Sequence, residues 1–158
     1  MAKPPGRLWR LSTVKYAATA LDGEGARRVG GRWNSPGRRS VYLSEHLSLA
    51  ALEVLVHFTK ATAPDHLAIA LDVPDDIAVY ELPLSALPAD WRAEEAPPST
   101  QHLGDAWLQR AAEPLMRVPS VIVPEESNFV LNPSHPDAAR IKSLAPVRFT
   151  FDPRLLKT

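Results

Sequence analysis

An acid among aliphatic side chains is costly to bury unless it is paired or used. Glu53 is such an acid, set in Ala50-Ala-Leu-Glu-Val-Leu-Val56. On a helix it lies beside Leu49, Val56 and His57, off the main apolar stripe. It reads either as a cleft-facing carboxylate or as half of an exposed Glu53–His57 pair at i,i+4, worth roughly 0.2–0.5 kcal/mol. The apolar character of the helix on all sides favours the cleft. A second element is Gly30-Gly-Arg-Trp-Asn-Ser-Pro-Gly37. Here two glycines would expose backbone amides, Arg32 offers a planar fork suited to phosphate or carboxylate, and Trp33 offers a flat wall. The same residues also suit a structural turn with an ordinary ion pair. Tyr42 is placed to stack a planar ligand or to fill the core. Ser120 is the one polar side chain in Val118-Pro-Ser-Val-Ile-Val-Pro124 and needs a partner, most simply a backbone group.

Other chemistries are excluded. The chain has no cysteine, hence no disulfide, thiolate nucleophile or cysteine-ligated metal. It contains no phosphate-binding G-x-x-x-x-G-K-[ST] loop, no G-x-S-x-G and no H-E-x-x-H. Gly23-x-Gly25 lacks the third glycine of a dinucleotide fingerprint. The five histidines share no local metal-ligand spacing and read as surface or core residues. With 18 basic against 18 acidic residues the net charge is zero, which disfavours a nucleic-acid module. The charge is nevertheless polarised. Residues 1–40 hold nine Lys/Arg against two Asp/Glu, and residues 41–113 hold three against twelve. That polarity either builds a local anion site or is cancelled by folding. No apolar run reaches the ~18 residues of a membrane span, and the polar, Pro-rich start lacks a signal-peptide core.

The elements that must position these residues follow from punctuation. At 158 residues, 45% hydrophobic and 23% charged, one globular domain is expected, with residues 1–6 as a loose tail and 7–158 as the folded domain. Strands are expected at Arg7–Leu11, Ser40–Leu43, Asp65–Pro74, Ile77–Leu82, Arg117–Val123, Ser127–Leu131 and Val147–Phe151. Helices are expected at Glu45–Lys60, with Ser44 as N-cap, at Thr100–Glu113 before Pro114, and at Pro136–Lys142. Leu49, Leu52 and Val56 make the first helix apolar beyond its main stripe, so it should be covered on more than one face. Residues 22–39, with five of the seven glycines, read as a flexible loop system, and 83–100 as irregular. Irregularly ordered strands outnumbering helices give an α+β class.

In order along the chain, several stretches resemble the RES-domain family, toxins of RES–Xre toxin–antitoxin systems. They are Trp9-Arg10, Gly31-Arg-Trp-Asn34 with Gly37, Val41-Tyr-Leu-Ser44, Leu49-Ala-Ala-Leu-Glu53 with His57, Gly104-Asp-Ala-Trp107, Val118-Pro-Ser120, and Asn128-Phe-Val-Leu-Asn-Pro133 with His135-Pro136. The resemblance implies a split β core with flanking helices, like that of ADP-ribosyltransferase toxins, and a cleft for NAD as substrate, with no metal. It implies Glu53, Arg32 and Tyr42 as catalytic residues, and Arg10, Arg32, Tyr42 and Ser120 as NAD-binding residues, with Ser127 competing for the serine role. It implies cleavage of the nicotinamide–ribose bond by hydrolysis or phosphorolysis, or transfer of ADP-ribose to a protein acceptor. An Xre-type helix-turn-helix antitoxin covering the cleft and a cytoplasmic setting go with it, without a nucleic-acid or membrane partner. The rival classes are a non-catalytic nucleotide- or protein-binding module and a nucleic-acid-directed toxin using the basic first quarter. NAD turnover discriminates the first, and salt-dependent nucleic-acid binding the second.

Overall fold

Aliphatic runs become strands wherever a neighbour can bury them. The computed structural model, which describes residues 2–58 and 63–156, pairs eight strands into one sheet in the order β4-β5-β6-β2-β1-β3-β7, with β8 also on β3. Their ranges are β1 Arg7–Thr13, β2 Val41–Ser44, β3 His66–Asp72, β4 Val79–Glu81, β5 Leu115–Pro119, β6 Ser127–Leu131, β7 Lys142–Ser143 and β8 Val147–Phe149. Three helices accompany them, α1 Glu24–Val29, α2 Leu47–Leu55 and α3 Pro98–Arg110. The class is α+β, as expected from the sequence.

The sheet is split. β1 pairs with β3 along its whole length, from Arg7↔Asp72 to Thr13↔His66. β2 pairs fully with β6, from Val41↔Leu131 to Ser44↔Asn128. Between β1 and β2, however, the register holds one pair, Trp9↔Ser44. A strand pair that parts after one rung leaves backbone groups unpaired, and something else must satisfy them.

Alternation sorts the side chains onto two faces. Leu8, Val41, Leu43, Ile69, Leu71, Leu115, Phe129 and Leu131 form one core cluster. The opposite faces of β5 and β6 bring Met116, Val118 and Val130 against Trp107 and Leu108 of α3 and against Trp33. On the other side of the seam Leu11 and Ala68 meet Ala50 of α2 and Phe151. The two helices thus flank the seam on one face. α3 approaches so closely that a Cβ at Gly104 would overlap the Trp33 carbonyl, so backbone packs on backbone there.

Several boundaries differ from expectation for identifiable reasons. α2 starts at Leu47 with His46 at its N-cap and no side-chain cap. Ser44 belongs to β2, and its hydroxyl donates to Asn128 Oδ1. Glu45 instead accepts from the Ser127 backbone N–H. The expected end of this helix, Thr59–Lys60, lies outside the described residues. Leu52 and Val56 are 37% and 56% exposed, so α2 is covered on its sheet side and open on the other. Residues 22–39 are not a flexible loop. Gly23 and Gly30, both at positive φ, bracket α1, and Asn34 Nδ2 ties the following turn to the carbonyls of Ala26, Ser35 and Arg38. Glycine count concealed a helix of six residues. β5 ends at Pro119 rather than Val123, because Ser120 begins a turn. Residues 136–140 form a 3-10 turn. In the expected tail, Ala2 packs against the first cluster, and Met1 lies outside the described residues. No helix among the described residues is long and apolar enough to cross a membrane.

Candidate functional site

Glu53 projects from the last turn of α2 toward the β5–β6 end of the sheet. Its Oε1 accepts from Ser120 Oγ at 2.7 Å and from Asn128 Nδ2 at 2.6 Å. Among the described residues the Glu53 carboxylate bonds Ser120 and Asn128 and not His57; His57 is exposed. Ser120 is fully buried, and its oxygen also accepts the backbone N–H groups of Ile122 and Val123, each at 3.1 Å. The lone polar residue of that apolar run therefore has both kinds of partner, the expected backbone and an acid. Ser127 points elsewhere, its Oγ accepting from Arg117 Nε at 3.0 Å, so Ser120 and not Ser127 touches Glu53.

Arg32 lies close enough to Glu53 for the two charges to bear on one another. Burial pulls its guanidinium below the ordinary range, and the Glu53 carboxylate and Tyr42 oppose that shift. Nη1 donates to the Trp91 carbonyl at 2.9 Å and Nη2 to that of Glu94 at 3.3 Å. Arg32 thus latches the irregular segment after residue 83 onto the site. The neighbouring glycine amides are not a free cradle, since Gly30 N donates to Ala26 O and Gly31 N to Asn34 O. Their function is spatial: a Cβ on Gly31 would lie 2.5 Å from the Tyr42 hydroxyl. Trp33 is buried in the core rather than forming a ligand wall.

The Tyr42 hydroxyl donates to Asn34 Oδ1 at 2.6 Å and accepts from the Trp33 N–H at 2.9 Å. Burial pushes its pKa far up, so this is a neutral phenol fixed in place. Arg10 reaches across the parted β1–β2 seam and donates from Nη1 to the Tyr42 carbonyl at 3.1 Å. Its Nε is buried without a partner, and burial lowers the guanidinium's pKa.

The polarised charge resolves in a telling way. Of the seven arginines in residues 1–40, five meet carboxylates: Arg7 on Asp72, Arg27, Arg28 and Arg39 on Glu24, and Arg38 on Asp105. Arg10 and Arg32 are the two that form no ion pair among the described residues, Arg32 feeling the Glu53 charge without touching it, and both are half-buried. Folding cancels most of the basic quarter and leaves these two cations at the seam. Asn128 is the residue of the site that sequence reasoning missed. A polar side chain alternating with Val130 on the apolar face of β6 was the available signal.

A sheet opened at one seam, over a hydrogen-bonded glutamate and two arginines outside any ion pair, defines an α+β protein with a compact polar site at the sheet's split. The RES domain model matches residues 7–152, and the chain belongs to the RES domain family. It is 39% identical to the Prs ADP-ribosylating toxin of Sphingobium sp. over 94% of this chain and 96% of that protein. It is 36% identical to Toxin Res of Yersinia enterocolitica over 94% of this chain and 98% of that one. A chain in the crystal structure of the M. tuberculosis MbcT–MbcA toxin–antitoxin complex shares the fold, with TM-score 0.77 and 22% identity over 98% of this chain and 88% of the other.

Proposed function

We propose that this chain is the toxin of a toxin–antitoxin pair and that it breaks the nicotinamide–ribose bond of NAD. One observation carries the reading. A carboxylate fixed through one oxygen, Oε1, shares the site with two half-buried arginines that form no ion pair among the described residues. In the reaction the C1′–N bond breaks and its electron pair stays with the nicotinamide nitrogen. Positive charge grows on the ribose, as in glycoside cleavage, and the Glu53 carboxylate stabilises it. An oxygen of phosphate, or of water with loss of its proton to solvent, then bonds to C1′. Arg10 and Arg32 hold the pyrophosphate, each keeping its charge because its hydrogen bonds end on neutral backbone carbonyls. Tyr42 offers its ring to the nicotinamide, since its hydroxyl is committed. Ser120 serves the site through Glu53. The setting is cytoplasmic. An Xre-type helix-turn-helix antitoxin covers the cleft, a reading supported by the toxin–antitoxin neighbour.

The second reading is mono-ADP-ribosylation of a protein, favoured by the name of the Sphingobium relative. Against an arginine acceptor stands Ala51. Two residues before the acid, where such a transferase would place a carboxylate for the incoming guanidinium, Ala51 packs into the α2 cluster. The test is the pure chain with NAD labelled separately at the nicotinamide and adenine ends, with and without phosphate and cell lysate. Free nicotinamide with ADP-ribose or its 1″-phosphate is the expected result. Adenine-end label on one protein band selects the transferase, and intact NAD in every arm refutes both.

A further inference from the structure

The two oxygens of Glu53 are not equivalent. Oε1 takes both hydrogen bonds, and among the described residues Oε2 takes none. Proton directions at Oε1 are forced. Ser120 Oγ already accepts two backbone N–H groups, so its own hydrogen goes to Glu53. Asn128 must present Nδ2, because the flipped amide would set its oxygen against a carboxylate oxygen at 2.6 Å. That amide is held from behind. Ser44, buried and directly opposite Asn128 in the β2–β6 register, donates its hydroxyl to Asn128 Oδ1 at 2.7 Å. A relay thus runs from β2 through β6 to α2.

The geometry points to Asn128, oriented by Ser44, as the positioning residue that holds Glu53 by Oε1 and leaves Oε2 as the oxygen that works on substrate. The inference rests on the NAD reading for its chemistry. Ser120 alone fixes one point on the carboxylate, about which it still turns. The second donor fixes the plane. A carboxylate that turns loses its stabilising contact in the transition state and not the ground-state hold on the pyrophosphate, which the arginines supply.

The experiment measures kcat and KM for NAD, with melting temperature, for Asn128→Ala, Asn128→Asp, Ser44→Ala, Ser44→Ala combined with Asn128→Ala, and each Asn128 change combined with Glu53→Gln. Asn128→Ala should lower kcat on the order of tenfold to a hundredfold with KM little changed. The isosteric Asn128→Asp, which replaces the donor by an acceptor, should lose at least as much while remaining folded. Ser44→Ala should lose less, and should add nothing to Asn128→Ala. In the Glu53→Gln background the Asn128→Ala loss should shrink. A KM increase at unchanged kcat overturns the proposal, as does full activity in Asn128→Asp or an undiminished Asn128→Ala loss beside Glu53→Gln. Growth arrest on expression is scored for the same variants. A wild type that arrests growth without consuming NAD refutes the NAD reading, and the ranking of variants then still decides the role of Asn128.

Discussion

Replacing Glu53 by Gln isolates the charge from the shape. Glutamine keeps an oxygen at the Oε1 position, where it still accepts from Ser120 Oγ and Asn128 Nδ2. The amide nitrogen takes the position of Oε2, which among the described residues has no hydrogen-bond partner to lose. The fold therefore loses little. Alanine would be a poor substitute, because it strands the Ser120 hydroxyl and the Asn128 amide, at about 1–3 kcal/mol for each unsatisfied buried group. If the carboxylate supplies ~3–4 kcal/mol to the oxocarbenium-like transition state, turnover in Glu53→Gln falls on the order of 10²–10³-fold. NAD loss and nicotinamide release are followed chromatographically, alongside melting temperature and NAD affinity. Affinity should change little, since the pyrophosphate is held by the arginines. Near-wild-type turnover in a folded Gln variant would refute the assignment, and a collapse in melting temperature would show that the clamp is structural.

Arg32→Ala should raise KM for NAD by the worth of a charged hydrogen bond, roughly 1.5–3 kcal/mol. Arg32→Lys should not restore it, because one ammonium does not reproduce a fork that spans the Trp91 and Glu94 carbonyls; full rescue would mean that only positive potential matters. Tyr42→Phe strands the Trp33 N–H and Asn34 Oδ1, so it should lower stability by about 1–3 kcal/mol in denaturant unfolding while NAD affinity holds. A variant that loses affinity at full stability would give the hydroxyl a ligand role instead. Gly104→Ala drives a methyl into the Trp33 carbonyl and should cost ~1–3 kcal/mol or more of stability, seen as a lower melting temperature; an unchanged melting temperature would mean that α3 shifts freely.

What the sequence made legible was residue type against background. Glu53 among aliphatics, Arg32 between glycines and Ser120 in an apolar run were each visible as polar groups needing a reason. Seven strands and two helices were visible as periodicity, within a few residues at their ends. What it concealed was set by pairing between distant segments. Ser44 has the sequence signature of a helix cap, because a serine before a helix ordinarily caps it. The β2–β6 register instead puts Asn128 opposite Ser44, and a side-chain acceptor 84 residues away takes the hydroxyl. Gly30 and Gly31 read as exposed amide donors ahead of Arg32. Their amides are consumed inside the turn, while their missing side chains make room for Tyr42 and close α1. Charge behaved the same way. A surplus of basic residues in the first forty positions says nothing about which of them folding will neutralise. Glu24 alone engages three arginines, and Asp72 and Asp105 take two more. The site is therefore defined less by where arginines occur than by where acids fail to reach them. Arg10 and Arg32 meet that condition because their hydrogen bonds end on backbone carbonyls, of Tyr42 in β2 and of Trp91 and Glu94 in the segment after residue 83, and not on carboxylates. Neutral carbonyls satisfy some of the donors without cancelling the charge, which leaves both cations with an unspent attraction for an anion.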